Sequence, residues 1–189
     1  MKLKLTIIGP RAIGKSTISK ILAKELNLNY ISSDIEIDKK FKDKGGIKAV
    51  FYAENKDELF EKAYELFEEV FSLKNFIFDL AGGSLNTKNS KEELLDFSII
   101  KNNSIVIGLL PFKDDNKSIE LLKTRERKRE IWKHLSDEEI SENTIKHYNK
   151  VKNRMIEEID NIIYVENFSL EEIVKKIIKE IDKIIKITY

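Results

Sequence analysis

Short apolar runs alternate along this chain of 189 residues with longer stretches in which apolar residues recur every three or four positions. The short runs predict five strands, at about 2–8, 28–32, 75–80, 104–110 and 161–165. The longer stretches predict helices at about 15–27, 34–43, 56–73 and 90–101, over most of 114–160, and from about 170 onwards. Regular alternation of strands and helices is typical of an α/β protein. We therefore expect a five-stranded parallel sheet with helices on both faces, formed as one domain over 1–189.

The loop between the first predicted strand and the first predicted helix, at 9–17, contains the pattern G-x-x-x-x-G-K-[ST]. A strand before this pattern and a helix after it are the context that a phosphate-binding loop requires. Gly9 and Gly14 allow backbone conformations closed to other residues, so that the N–H groups of the loop can surround an anion. Lys15 is expected to reach the β- and γ-phosphates of ATP, and Ser16 to offer its hydroxyl to Mg²⁺. The sequence thus predicts a three-layer P-loop fold that binds ATP and Mg²⁺.

Composition limits the classes of protein that need to be considered. Hydrophobic residues make up 41% of the chain and charged residues 35%, which is typical of a soluble globular protein. The net charge of +1 gives no support to a nucleic-acid or membrane partner. The chain contains no cysteine, which excludes disulfides and thiolate chemistry. The first apolar run is predicted to be the first strand rather than a signal peptide, so we expect a cytoplasmic protein. We also expect a monomer or weak dimer.

Polar residues follow two further predicted strands, at the sheet edge where ligands bind in folds of this kind. Asp34 follows the second strand within the cluster 32–34, and it can contact a ligand while it also caps the next helix. Asp79 ends the third apolar run and is expected to act on Mg²⁺ directly or through water. Gly82 and Gly83 come next and would allow a ligand to approach the backbone closely.

Arginine is rare and unevenly placed. Of the 34 basic residues only five are arginine, and three of these lie in the basic segment 123–129. Phosphoryl transfer needs cations that neutralise charge on the transferred phosphoryl group, and a closing lid often carries them. We expect such a lid at about 113–135. A solvated helix face is the alternative for this segment. The two histidines, His134 and His147, are expected on the surface or in packing.

The order of these features resembles the shikimate kinase family of P-loop small-molecule kinases over nearly the whole chain. The family typically shows D-x-D, a helical acceptor-binding region, G-G-G, a lid arginine and a late R-x-P-x-Y segment. Their counterparts here are 32–34, about 34–73, 81–83, the lid and 154–159. The resemblance implies that ATP is bound by Gly9, Arg11, Ala12, Ile13, Gly14, Lys15, Ser16, Thr17 and Arg125.

The resemblance also implies roles in the reaction. Asp34 matches the second aspartate of D-x-D, which helps orient the attacking hydroxyl. Gly82 and Gly83 match glycines that line the acceptor. Arg125 is the best match for the lid arginine, with positions 127 and 129 as alternatives. The expected catalytic residues are therefore Lys15, Asp34 and Arg125, and the expected metal-binding residues are Ser16 and Asp79.

Several positions depart from the family pattern on the acceptor side. Ser32 stands where the first aspartate of D-x-D belongs, and Ala81 replaces one glycine. The acceptor arginine is expected near 58–62, where Lys62 is the one cation. The late segment lacks its proline and tyrosine, although Lys152 and Arg154 remain as candidate cations. The expected substrate-binding residues are Asp34, Lys62, Gly82, Gly83, Lys152 and Arg154.

These observations favour an ATP- and Mg²⁺-dependent kinase that phosphorylates a hydroxyl of a small metabolite and resembles shikimate kinase. A nucleoside or sugar-acid kinase is an alternative on the same scaffold. Arginine is absent between 12 and 124, which counts against a nucleoside monophosphate as acceptor. A P-loop nucleotide-binding protein with a degenerate or regulatory function is the alternative from another class.

Overall fold

The computed structural model describes residues 3–46, 57–82 and 97–188. Within them, five parallel strands form one sheet, in the spatial order β2-β3-β1-β4-β5. The strands are β1 (Lys4–Ile8), β2 (Asn29–Ser32), β3 (Phe76–Asp79), β4 (Ile105–Leu110) and β5 (Ile162–Tyr164). All five coincide with predicted strands, so the parallel sheet expected from the sequence is confirmed.

Seven α-helices are described between and after the strands. They are α1 (Lys15–Glu25), α2 (Ser33–Lys40), α3 (Asp57–Ser72), α4 (Phe97–Asn103), α5 (Asp115–Glu126), α6 (Asp137–Glu158) and α7 (Leu170–Thr188). Single 3-10 turns lie at Lys42–Lys44 and Glu130–Trp132. The helix predicted at about 90–101 is described only from Phe97, and its first part lies outside the described residues.

The stretch 114–160 was predicted to be mostly helical, and the structure divides it into α5, a 3-10 turn and α6. The division has a local cause at the start of α6. The backbone N–H of Glu139 donates to Ser136 Oγ at 3.2 Å, and the N–H of Ser136 donates to Glu139 Oε2 at 2.7 Å. This reciprocal capping fixes the first turn of a new helix and separates it from the segment before it.

The hydrophobic core surrounds the central strand β1, in which Leu5, Ile7 and Ile8 are fully buried. Helix α1 packs on β1, β2 and β3 and also contacts α7. The apolar residues of α7 recur at helical spacing and close this side of the core. The buried members of this stripe are Ile173, Val174, Ile177 and Ile181. Among the described helices, none is both long enough and apolar enough to cross a bilayer.

Strand β3 is anchored by an aromatic cluster that α3 contributes. The Phe78 ring lies 5.7 Å from that of Phe67 and 6.2 Å from that of Phe71, both in edge-on orientation. Because side chains alternate along a strand, the residue after Phe78 points to the opposite face. That residue is Asp79, which pairs in register with Ser32 on one side and Ile7 on the other. The carboxyl ends of β1, β2 and β3 therefore lie side by side at one edge of the sheet.

Candidate active site

The phosphate loop lies between β1 and α1, and its backbone is tightly constrained. A Cβ atom on Gly9 would lie 2.5 Å from the carbonyl oxygen of Leu109, so the strand β4 passes too close for a side chain. Ala12 has φ of 61° and Gly14 has φ of 105°, both in the left-handed region. Gly14 is the residue that precedes α1, which begins at Lys15. The N-terminus of α1, with its positive end of the helix dipole, thus opens onto the loop.

Lys15 is the buried cation of the site, with 9% of its surface exposed. Burial lowers the pKa of its ammonium group, because the charged form loses water. The carboxylates of Asp79 and Asp34 act in the opposite direction and favour the charged form. Lys15 therefore interacts electrostatically with carboxylates at the ends of two neighbouring strands, and its positive charge is available to a bound phosphate.

Asp34 lies in the first turn of α2, directly after β2. Its side chain remains exposed, while the protein atoms around it raise the pKa of the carboxyl group by desolvation. The positive charge of Lys15 opposes this rise, and the negative charge of Asp79 adds to it. A carboxylate with a raised pKa and an open side can accept a proton from an incoming hydroxyl group.

Asp79 belongs to a group of oxygen atoms centred on Tyr30. The Tyr30 hydroxyl donates to Asp79 Oδ2 at 3.1 Å. The side chains of Ser16 and Ser32 lie near the same phenol, where they act to lower its pKa. Burial, together with the Asp79 carboxylate, raises the pKa of Tyr30, so the phenol stays protonated and can donate.

This oxygen group fits Mg²⁺, a hard cation that prefers oxygen ligands and retains much of its water. Ser16 and Asp79 are the expected metal-binding residues, and both reach one phenol. Within the described ranges, no three His, Cys, Asp or Glu side chains come close enough to hold a metal ion by themselves. A cation here would therefore share its ligands with nucleotide phosphates and water, as Mg²⁺ does in kinases.

Gly82 brings the loop after β3 against the phosphate loop. A Cβ atom on Gly82 would lie 2.9 Å from the Gly9 carbonyl oxygen and 3.3 Å from both Arg11 N and His147 Nε2. The absence of a side chain is thus what allows these groups to converge. Gly83, the other expected acceptor glycine, lies outside the described residues.

The three arginines of the basic segment have three different environments. Arg125 donates from Nη1 to the carbonyl oxygens of Ala12 and Ile13, at 3.1 and 2.9 Å, so it braces the phosphate loop. Arg127 pairs with Asp137 at 3.1 Å, and both side chains are exposed. Arg129 is the member whose charge acts on both Lys15 and Asp34: it adds to the lowering of the Lys15 pKa and opposes the rise of the Asp34 pKa.

A buried carboxylate connects the basic segment 123–129 to the phosphate loop. Glu126, 2% exposed, lies 3.2 Å from Arg129 Nη1 and 4.0 Å from Arg11 Nε. It also accepts a hydrogen bond from Trp132 Nε1, and the Arg11 guanidinium lies over the Trp132 ring at 5.1 Å. We call Arg11, Glu126, Arg129 and Trp132 the Glu126 cluster. Because two arginines share one buried carboxylate, the segment at 126–132 is fixed beside the loop.

The structure does not bring three of the expected acceptor cations to Asp34. Lys62 pairs with Glu65 on its own helix, at 2.8 Å. Lys152 of α6 pairs with Asp115 of α5, at 2.6 Å to Oδ1. The Arg154 guanidinium lies over the ring of Phe97, 5.3 Å from its centroid. Among the contacts of the described residues, none joins these side chains to Asp34 or Gly82.

Sequence reasoning missed three residues of the site. Tyr30 lies on a predicted strand. Because it is two positions before Ser32, it shares a face of the strand with Ser32, and this spacing could have indicated that it belongs to the site. Glu126 lies among basic residues in the sequence, which indicates that its carboxylate neutralises them. His147 was expected on the surface or in packing; it is buried, and its Nε2 accepts a hydrogen bond from Arg11 N–H at 3.1 Å.

Acidification is expected to destabilise the protein through His147. Burial, aided by the positive charges of Arg11 and Lys15, lowers its pKa to about 3, whereas a histidine in an unfolded chain titrates near 6.5. The contribution to stability is complete above about pH 6.5 and declines as the pH falls, because only the unfolded chain then binds a proton. The loss at pH 5 is about 2 kcal/mol.

Urea unfolding at pH 7, 6 and 5 measures this loss. His147→Gln, which cannot titrate, should flatten the pH dependence, whereas His134→Gln should leave it in place because His134 is exposed. Equal slopes in the wild-type protein and His147→Gln would contradict the prediction.

The class of protein follows from the sheet and the groups at its edge. A phosphate loop after the central strand, acidic residues at the ends of the two strands on one side of it and an arginine-bearing segment next to the loop define a P-loop kinase. Residues 11–182 match the model of the shikimate kinase family, and the chain therefore belongs to that family. It is a small-molecule kinase that uses ATP to phosphorylate a hydroxyl group of a small metabolite.

Individual relatives agree with this assignment at low sequence identity. The shikimate kinase of Alteromonas mediterranea is 24% identical over 181 residues, which cover 95% of this chain and 97% of the relative. The shikimate kinase structure from Acinetobacter baumannii, in complex with shikimate, has a TM-score of 0.70 and 20% identity, covering 96% of this chain and 94% of that one. The shikimate kinase structure from Bacteroides thetaiotaomicron has a TM-score of 0.75 and 17% identity, covering 95% and 98%. These structures confirm the α/β fold.

Proposed function

We propose that this kinase transfers the γ-phosphoryl group of ATP, with Mg²⁺, to a hydroxyl group of a small hydroxylated acid of the shikimate type. The observation that carries the proposal is the convergence of Lys15, Asp34 and Asp79 at the ends of neighbouring parallel strands. A buried ammonium group between two carboxylates provides both a cation for phosphate and a base for an acceptor. The proposed unit is one domain over 1–189, with an acceptor-binding region at about 34–73 and a lid at about 113–135.

The phosphate loop is proposed to bind and orient the donor. Backbone N–H groups at 9–17 and the N-terminus of α1 would surround the phosphates. Lys15 would carry positive charge to the β- and γ-phosphates, where negative charge is shared in a loose transition state. Arg125 holds two carbonyl groups of the loop, which supports its shape in the absence of the donor.

Ser16 and Asp79 are proposed to hold the metal, with Tyr30 fixing their relative position. When bound, Mg²⁺ supplies charge neutralisation on the β- and γ-phosphates. Ser32 carries no carboxylate, and Asp79 is its direct neighbour in the sheet. The register of β2 and β3 thus supports Asp79 as the acidic group on the metal side.

Asp34 is proposed to accept the proton of the attacking hydroxyl group. Its raised pKa makes it a stronger base than an ordinary aspartate, and its side chain is exposed. Gly82 and Gly83 would leave room for the acceptor against the loop backbone. Lys62, Lys152 and Arg154 would have to exchange their present contacts before they could bind an acceptor carboxylate.

A nucleotide-binding protein with little turnover is the second candidate. It is favoured by one observation, which is that Lys62 and Lys152 are each paired with a carboxylate of the protein. A protein of this kind would bind ATP without needing an acceptor pocket.

An acceptor-dependent assay tests the proposal. Release of ADP is measured with ATP and Mg²⁺ in the presence of shikimate, gluconate or deoxynucleosides, and again with excess chelator. We expect the largest stimulation by shikimate and its loss on chelation. Tight ATP binding with no stimulation by any acceptor would favour the second candidate, and stimulation by gluconate or a nucleoside alone would reject the proposed substrate class.

Replacing Arg129 is expected to reduce catalysis more than replacing its neighbour Arg127. Arg129 acts on Lys15 and Asp34, so Arg129→Met should lower kcat about a hundredfold by removing a positive charge near the transferred group. Arg127 pairs with exposed Asp137, so Arg127→Met serves as the matched control and should keep kcat within about twofold. Steady-state kinetics at saturating ATP distinguish the two, and equal losses would argue against a specific role for Arg129.

A further inference from the structure

His147 connects helix α6 with two loops of the site. Its Nε2 atom accepts a hydrogen bond from the backbone N–H of Arg11, the third residue of the phosphate loop, at 3.1 Å. The same nitrogen lies 3.3 Å from the point that a Cβ atom on Gly82 would occupy. The side chain is buried, with 7% of its surface exposed. One imidazole ring therefore stands where the donor loop, the loop after β3 and α6 meet.

The hydrogen bond fixes the chemical form of this ring. Since Nε2 accepts a hydrogen bond, it carries no proton, and the proton of a neutral imidazole must be on Nδ1. Positive charges face the ring from the phosphate loop, through Arg11 and Lys15, and from the lid, through Arg129. They disfavour an imidazolium ion, which could not accept from Arg11. The ring is thus kept as a neutral acceptor in a cationic site.

Helix α6 is itself held in place next to His147. The neighbouring residue Tyr148 donates its hydroxyl to Asp115 Oδ1 of α5 at 2.8 Å, and Lys152 pairs with the same carboxylate. Arg11, which His147 holds by its backbone, extends its side chain into the Glu126 cluster. The backbone of Arg11 is therefore attached to α6 and its side chain to the lid.

We propose that His147 is a positioning residue for phosphoryl transfer. It attaches the start of the phosphate loop to α6 and so holds the loop in the conformation that binds nucleotide. The ring does not touch the reacting atoms; it acts through the backbone of Arg11. This inference rests on the proposed function, because it concerns the same loop. Loss of the acceptor would leave a buried N–H group without its partner and would release the loop from α6.

Nucleotide binding to variants at 147 provides the test. Titration calorimetry with ADP and Mg²⁺ is performed on the wild-type protein, His147→Leu, His147→Gln and the exposed control His134→Leu. We expect His147→Leu to weaken ADP binding about tenfold, which corresponds to the loss of one buried hydrogen bond. His147→Gln supplies a new acceptor and should recover most of the affinity, and His134→Leu should bind like the wild-type protein. The KM for ATP should follow the same order, while the KM for the acceptor stays unchanged.

A measurement on the wild-type protein keeps the test independent of whether the variants fold. The chain has two histidines, so ¹⁵N spectra of histidine-labelled protein contain few signals. We expect one ring with a protonated Nδ1 and an unprotonated Nε2 at neutral pH. A protonated Nε2 on His147 would overturn the inference, as would equal ADP affinities of His147→Leu and the wild-type protein. Absence of ADP binding by the wild-type protein would instead overturn the proposed function, and this inference with it.

Discussion

Replacing Lys15 with methionine is expected to reduce phosphoryl transfer about a thousandfold. The substitution keeps the length of the side chain and removes a buried cation that interacts electrostatically with Asp34 and Asp79. Without it, negative charge that develops on the transferred group faces two carboxylates with no ammonium group between them. Acceptor-dependent ADP release at saturating ATP measures the loss, and calorimetry measures the accompanying decrease in nucleotide affinity.

A matched control exists on the same helix. Lys24 lies in the last turn of α1 and is exposed, so Lys24→Met changes the charge of the protein equally but at a distance from the loop. Its rate should stay within about twofold of the wild-type rate, because an isolated surface charge contributes little. Comparable losses in the two variants would show that net charge, rather than the position of Lys15, governs the rate.

Asp34→Asn is expected to lower kcat by a factor of about one hundred to ten thousand, the range of general acid–base catalysis. Asparagine keeps the shape of the side chain and its place at the start of α2, but it cannot accept a proton from the acceptor. Nucleotide affinity should change little, since Lys15 and the phosphate loop remain. Single-turnover measurements with prebound ATP separate the chemical step from binding.

The pH profile distinguishes this role from a structural one. Because the pKa of Asp34 is raised, the wild-type rate should fall as the pH decreases through that raised value, where the carboxylate becomes protonated. Asp34→Asn should have a low rate without this acid limb. Glu36→Gln, on the same helix and paired with Lys39 at 2.8 Å, is the control that removes a nearby carboxylate. If the acid limb persists in Asp34→Asn, the group that titrates is not Asp34.

The fold could be predicted from the sequence because its signals are local. Each strand is a short apolar run, each helix repeats its apolar positions every three or four residues, and the phosphate loop is one contiguous pattern. Asp34 and Asp79 could be assigned to one edge of the sheet because parallel strands bring their carboxyl ends together. Those expectations needed only the order of elements along the chain.

The contact between His147 and the phosphate loop could not be predicted in the same way. The hydrogen bond joins residues 136 positions apart in the chain, and it depends on how α6 is rotated against the sheet. That rotation is determined by packing, through Tyr148 and its hydrogen bond to Asp115, and no local pattern encodes it. A lone histidine on a helix therefore gave no signal of its place in the structure.

The basic segment 123–129 shows the same limit on a smaller scale. Arg125, Arg127 and Arg129 are nearly equivalent in the sequence, yet one braces the loop, one pairs with an exposed aspartate and one acts on the charges of the site. Their roles differ because α5 ends at Glu126 and the backbone becomes extended at Arg129. Sequence spacing alone could not locate this change of direction.

The register between β2 and β3 has a wider consequence. Ser32 and Asp79 lie directly opposite each other, about 4.8 Å apart as neighbouring parallel strands are. A carboxylate on either strand therefore reaches the same region above the sheet, although the two positions are 47 residues apart in the chain. Under the proposed assignment of Asp79 to the metal, the neighbouring strand supplies the acidic group while the space it serves is unchanged. A pattern written for β2 alone would count this chain as deficient, whereas the register of the sheet edge places a carboxylate next to that position.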